Sequence, residues 1–145
     1  MKIIVILMAV FITGTLQAQD VNDTVAIKKL LEKESATWRS GDSKAHAECW
    51  HVQPYSKILV SIPNGKCYDI SAENIIKSAS AGGNGGYAVN SNYGFSIHQN
   101  DAWVSHDEKS YAKDGTVTYS HEIKILEKIN NEWKLVAQSI HIYVP

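Results

Sequence analysis

The chain is 145 residues long and lacks most of the features that announce a chemistry. Its only cysteines are Cys49 and Cys67, and neither C-x-x-C nor H-x-x-x-H spacing occurs, so no zinc site or other metal centre is expected. Positive charge is not in excess, with 14 Lys and Arg against 15 Asp and Glu. A phosphate-tracking surface needs a basic excess or stripe, which excludes nucleic acid as a partner. No G-x-S-x-G elbow is present, and no Gly-Lys-Ser/Thr follows a glycine-rich loop. Past residue 18 no apolar run is long enough to span a bilayer.

The one long apolar run lies at the start. Residues 1–18 place Lys2 before Ile3 to Ile12, after which small and polar residues lead to Leu16-Gln17-Ala18. This is the pattern of a secretory signal peptide cleaved after Ala18, which predicts a periplasmic or extracellular protein. No cysteine follows the cleavage point, so no lipid anchor is expected there. Residues 19–145 suit a single domain with a real core. In an oxidising compartment Cys49 and Cys67 form either one disulfide or two inert thiols, and the sequence leaves that open.

Ser80 to Gly86, SAGGNGG, places Gly83, Gly85 and Ala88 in G-x-G-x-x-A spacing. That fingerprint binds a pyrophosphate only between a preceding strand and a following helix. The neighbours here are reversed. Asp23 or Thr24 can cap a helix with Ile27, Leu30, Leu31 and Trp38 as its stripe, ending at Gly41. Asp42 caps a second, Pro63-Asn64-Gly65 turns a hairpin, and Ser71 opens a third helix with Ile75, Ile76 and Ala79 as its stripe. After the glycines, the period becomes two over Asn92 to Gln99, Ala102 to Tyr111, Thr116 to Lys128 and Trp133 to Val144. The glycines therefore join a helix to a strand, and no cofactor is expected. The fold class is α+β.

A helix closing in Trp38-Arg39-Ser40-Gly41-Asp42, followed much later by the hairpin ILEKINNEWKLVAQ, resembles the NTF2-like superfamily, in particular its SnoaL-like and DUF4440-type members. The resemblance implies a cone: a curved, mostly antiparallel sheet packed on three N-terminal helices and open at one end, often dimeric through the outer sheet face. Its members include dehydratases, isomerases and non-catalytic carriers. The fold therefore places a site without naming its chemistry. Two known active sites do not carry over. The position matching the ketosteroid isomerase base is about Ile58, and the scytalone dehydratase tyrosine-aspartate pair falls on Trp38 and Arg39.

If every hairpin turns on two residues, strand parity puts Tyr93, His106, Tyr119, His121, Gln138 and Ile140 on the inner face. Glu34 joins them from the first helix, on the stripe of Ile27, Leu31 and Trp38. The expected catalytic groups are His121, Glu34 and Tyr119, able to move a proton in a lyase or isomerase reaction on a small carbonyl compound. Trp38, Ile58, Tyr93, Gln138 and Ile140 are the expected ligand contacts. A bulge in the last hairpin would instead turn Glu122, Ser139 and His141 inward as a reserve site. The leading expectation is a cone that binds a small, largely apolar molecule. The alternatives are the enzyme just described and a dimeric interaction domain with a filled core. Trp103 on the outer face hints at a homodimer.

Overall fold

A computed structural model describes residues 2–77, 83 and 85–145, with side chains from residue 21 onward. Helix α1 spans Lys2–Ser40 and runs through Asp23 without a break. The expected cap at Asp23 or Thr24 is corrected: the Asp23 carboxylate accepts from Lys128 Nζ (2.7 Å) and Trp133 Nε1 (3.0 Å), tying the helix to the last hairpin. The helix stops at Gly41, whose φ of 72° lets its N–H turn back to the Trp38 carbonyl, with Asp42 N–H on the Thr37 carbonyl. Asp42 then caps α2 (Ser43–Ala47) by accepting from Ala45 N–H at 3.0 Å.

Strands β1 (Lys57–Ser61) and β2 (Cys67–Ser71) form the first hairpin, and α3 (Ala72–Ile75) follows directly. Ile75 is fully buried on α3 while Ile76 is exposed. The expected partner Ala79 lies outside the described residues. The long meander is β3 (Tyr87–Ile97), β4 (Asp101–Tyr111), β5 (Val117–Ile129) and β6 (Glu132–Tyr143). The strand order is β2-β1-β6-β5-β4-β3, antiparallel except where β1 lies parallel to β6. The architecture is an NTF2-like α+β cone. At its closed end Ile27 and Leu31 of α1 pack with Trp50, Val104, Leu126, Trp133 and Leu135.

Gly85 N–H donates to the Arg39 carbonyl at 2.9 Å, and a Cβ on Gly83 would lie 2.8 Å from that same oxygen. Gly83 and Gly85 lie against the end of α1, and at Gly83 only backbone fits.

Two local features set which side chains face α1. Between β4 and β5 the loop is Lys113-Asp114-Gly115, because Ala112 N–H bonds to the Thr116 carbonyl at 2.9 Å. A three-residue loop with Gly115 in the left-handed region (φ 87°) shifts β5 by one residue relative to a two-residue turn. The register therefore pairs His106 with Glu122, not with Ile123. Between β5 and β6, Asn130 and Asn131 do form a two-residue turn, both at positive φ. A bulge at Ile125/Leu126 then shifts β6 back. On β5 the inner residues are accordingly Ser120, Glu122, Lys124 and Leu126, all buried, while His121, Ile123 and Ile125 are exposed.

Candidate functional site

The strand register lays out the inner face in rows. Above the core layer, Ile58, Gln138, Lys124 and Val104 stand side by side on β1, β6, β5 and β4. The next row is Val60, Ile140, Glu122 and His106. Beyond it Ile142, Ser120 and Glu108 face the helix. α1 covers these rows with Glu34, Ser35, Trp38 and Arg39, and α2 adds His46. Between helix and sheet a cavity of about 370 Å³ remains. One wall is apolar, formed by Trp38, Ile58, Val60, Ile70, Ile140 and Ile142, and the rest is markedly polar.

The deep end holds a buried ionic group. Lys124 Nζ lies 2.7 Å from Glu122 Oε2 and donates to Gln138 Oε1. Glu34 Oε2 is 3.8 Å from the same ammonium, and Glu34 Oε1 is 3.9 Å from His46 Nδ1. His106 Nε2 sits 3.8 Å from Glu122 Oε2. Nearer the helix end, Arg39 pairs with Glu108 and donates to Ser110 Oγ (2.5 Å) and Ser35 Oγ (3.1 Å). These charges tolerate burial because they are paired, and isolated ones would not.

Their titration follows from the pairing. Burial pushes the Glu34 carboxyl above its ordinary value, partly offset by the charges of Lys124 and His46. Burial also works against the Glu122 carboxylate, yet Lys124, His106 and the Ser120 hydroxyl outweigh it and hold Glu122 below the usual range. For Lys124 desolvation is again overcome, and Glu122 and Glu34 raise it further. His106 is lowered by burial and then by Lys124, which keeps its imidazole neutral.

The expected site residues divide into two groups. Glu34, Trp38, Ile58, Gln138 and Ile140 line the cavity. Tyr93 is partly buried but is not among the lining residues; its ring lies 5.3 Å from that of His106. His121 and Tyr119 do not reach it. His121 projects from the outer face with its side chain 62% exposed, Nδ1 2.6 Å from Asp107 Oδ1 and its ring stacked on Tyr143. Tyr119 lies on the same outer face beneath Lys109 Nζ. Of the reserve set, Glu122 is inside, while Ser139 and His141 bond each other outside at 3.0 Å. The three-residue loop is the physical reason for each of these corrections on β5. Lys124, Arg39, Glu108 and His46 are cavity residues that the pattern did not pick out. The one signal for Lys124 and Glu122 was their i, i+2 spacing, which must put both on one face of a strand.

Both cysteines are free, Cys67 on the surface and Cys49 in the core, where burial pushes its thiol up to about 11. That removes the disulfide alternative. Among the described residues no three metal-ligating side chains converge, and no helix is long and apolar enough to cross a membrane.

Known structures share this architecture. An NTF2-like protein of unknown function from Silicibacter pomeroyi superposes with a TM-score of 0.67 at 12% identity, over 86% of this chain and 98% of that one. A protein of unknown function with a cystatin-like fold from Nostoc punctiforme gives 0.67 at 12% identity, over 83% and 91%. A candidate dehydratase of the NTF2-like family from Streptomyces avermitilis gives 0.65 at 12% identity, over 86% and 98%. No protein-family model and no curated protein matches the sequence itself. At identities this low the likeness is one of fold, and the chain has the NTF2-like fold.

Proposed function

We propose that the cone is a binding site for a small organic molecule with an apolar body and one polar end. The observation that carries this reading is the 370 Å³ of space left between an apolar wall and a charged, hydrogen-bonding deep end. A closed core would have filled that space with side chains, since interiors pack without voids of this size. Convergent polar groups in an otherwise apolar concavity are the usual form of a small-molecule site. Native mass spectrometry of the purified protein tests the proposal: a co-purifying small molecule released on denaturation is expected, and repeated preparations that hold none and bind none of a diverse fragment set would overturn it.

A second reading makes the same cavity a proton-transfer site, a lyase or isomerase centred on Glu34. It is favoured by the two carboxyls beside Lys124, whose environments push them in opposite directions, Glu34 up and Glu122 down. Such a split is how one site provides an acid and a carboxylate together. On this reading Glu34→Gln abolishes turnover and spares binding. His121 and Tyr119 have no part in it.

The remaining proposals rest on the sequence. Residues 1–18 act as a signal peptide, so that the mature chain begins at Gln19 outside the cytoplasm. The SnoaL-like or DUF4440-type assignment rests on the Trp38-to-Asp42 and Leu126-to-Val136 motifs. A homodimer through the outer sheet face is supported by Trp103 and Ile125, directly opposite each other and both about half exposed.

A further inference from the structure

The deep end of the cavity has hydrogen-bonding capacity left over, and its sign is informative. Gln138 accepts from Lys124 through Oε1, so its amide nitrogen is turned away from the ammonium, and its two hydrogens meet no acceptor among the described residues. Lys124 has three hydrogens. Glu122 and Gln138 take two, and the nearest further acceptor, Glu34, lies 3.8 Å off, beyond hydrogen-bonding distance. The Glu34 side chain makes no hydrogen bond among the described residues, although it is only 6% exposed. Three of the uncommitted hydrogens are thus donors on adjacent strands, one on Lys124 and two on Gln138, which stand directly opposite each other.

Charge narrows the choice. A ligand cation bound to Glu34 would lie against Lys124, 3.8 Å from that carboxylate. A ligand anion bound to Lys124 would lie against Glu122, already 2.7 Å from the ammonium, and against Glu34. Either sign meets a like charge in a site shielded from water, where repulsion is strongest. Arg39 is engaged by Glu108, so it offers no free counter-charge. His46 holds Nδ1 toward the Glu34 backbone carbonyl at 3.4 Å, and its Nε2 has no partner among the described residues, so it is a further polar atom facing the cavity but not one on the Lys124–Gln138 strands.

We infer that the cavity selects an uncharged molecule whose polar end is an acceptor oxygen, a ketone, aldehyde, ester or amide carbonyl, received by the Gln138 amide and the Lys124 ammonium. This rests on the cavity being a small-molecule site and specifies what it takes. A carbonyl oxygen has two lone pairs for the two donors, and it leaves the Lys124–Glu122 pair intact. A buried donor left without an acceptor costs free energy, which is why a site of this kind discriminates against a ligand that lacks one.

Calorimetric titration of the full-length protein with four molecules of one shape tests it: 2-acetylnaphthalene, 2-ethylnaphthalene, 1-(2-naphthyl)ethylamine and 2-naphthoate. The ketone should bind about tenfold or more tighter than each of the others. In Gln138→Met that preference over the hydrocarbon should fall several-fold, because only the Lys124 ammonium is left to receive the carbonyl oxygen. Gln138→Glu, which keeps an acceptor for Lys124 but removes the amide donors, is the second variant if the first does not fold, and it too should lower the ketone preference. Equal or tighter binding of the amine or the carboxylate overturns the inference, and so does a ketone preference that survives both substitutions undiminished. If the hydrocarbon binds as tightly as the ketone, the inference fails and the cavity reading stands. If none of the four binds, the cavity reading itself fails.

Discussion

Glu122 and Lys124 stand two residues apart on β5 and meet inside the cone, Oε2 to Nζ at 2.7 Å, each side chain only 5% exposed. Their spacing forces both onto one face, and the pair is what makes that face chargeable at all.

Removing one partner should therefore cost far more than removing both. Lys124→Met leaves Glu122 buried without its counter-ion and is expected to destabilise the fold by about 3–5 kcal/mol, whereas adding Glu122→Gln should recover much of that loss. Urea denaturation of the two single variants and the double variant measures the coupling. A Lys124→Met cost below about 1 kcal/mol would show that the pair is solvated and that the deep end is not closed.

The elements of the fold were legible in the sequence and the parity of one strand was not. Period-two alternation located β4, β5 and β6 to within a residue or two, and Gly41 marked the end of α1. What misled was Asp114-Gly115, which reads as a two-residue turn but sits in a three-residue loop closed by Ala112 and Thr116. The shift turned β5 over and exchanged Lys124 and Glu122 for His121 and Ile123. Gln138 and Ile140 nonetheless fell on the right face, because the bulge at Ile125/Leu126 restored the parity of β6. The apolar-inward rule gave no warning, since β5 buries its charges and exposes Ile123 and Ile125. That inversion is itself the mark of a site: a plain core strand would not keep its charges inside.

Stability should respond to acid in two windows of opposite sense. His106 has an ordinary value of 6.5 and is lowered in the fold, so the stability it contributes is present above about 6.5 and lost as pH falls through its folded value. Glu122, ordinarily at 4.5 and also lowered, acts the same way at lower pH. Glu34 is raised from 4.5, so its ionisation costs stability as pH climbs from 4.5 through its folded value. Glu34→Gln should stabilise the protein at about pH 7 and leave it unchanged at about pH 4, because the carboxyl is neutral there in both states. Urea melts at the two pH values decide it. Equal stabilisation at both would mean that packing, not charge, is responsible.

One substitution in the β1–β2 turn and one immediately before β3 separate backbone strain from steric conflict. Gly65 (φ 83°) has open space where a Cβ would go, while at Gly86 (φ 75°) a Cβ would lie 1.8 Å from the Tyr111 carbonyl oxygen. Gly65→Ala should cost about 1 kcal/mol, the usual penalty of the left-handed region. Gly86→Ala should cost clearly more, because Tyr111 is held in the ladder opposite Tyr87 and cannot withdraw. Thermal melts of the two variants measure the difference. Equal costs would mean that the end of β4 is free to shift.

On the outer face Trp103 of β4 lies directly opposite Ile125 of β5, with Ile123 one row away and Leu59 on β1, each between 43% and 48% exposed. The residues between them are small, Ser105 and Ser139 in the Ile123 row, so the apolar side chains stand proud of a shallow surface. A patch of that kind is stable in water when a second surface covers it, and a second copy of the sheet offers the same side chains in return. The expected state in solution is a homodimer. Ile125→Lys places two like charges near the centre of that contact and should shift the protein to monomer at micromolar concentration, while the fold is kept, since the position is solvent-facing within one chain. Sedimentation equilibrium reads the mass and circular dichroism the fold. A wild-type protein that is monomeric at those concentrations, or an Ile125→Lys variant that remains dimeric, would place any self-association elsewhere on the molecule.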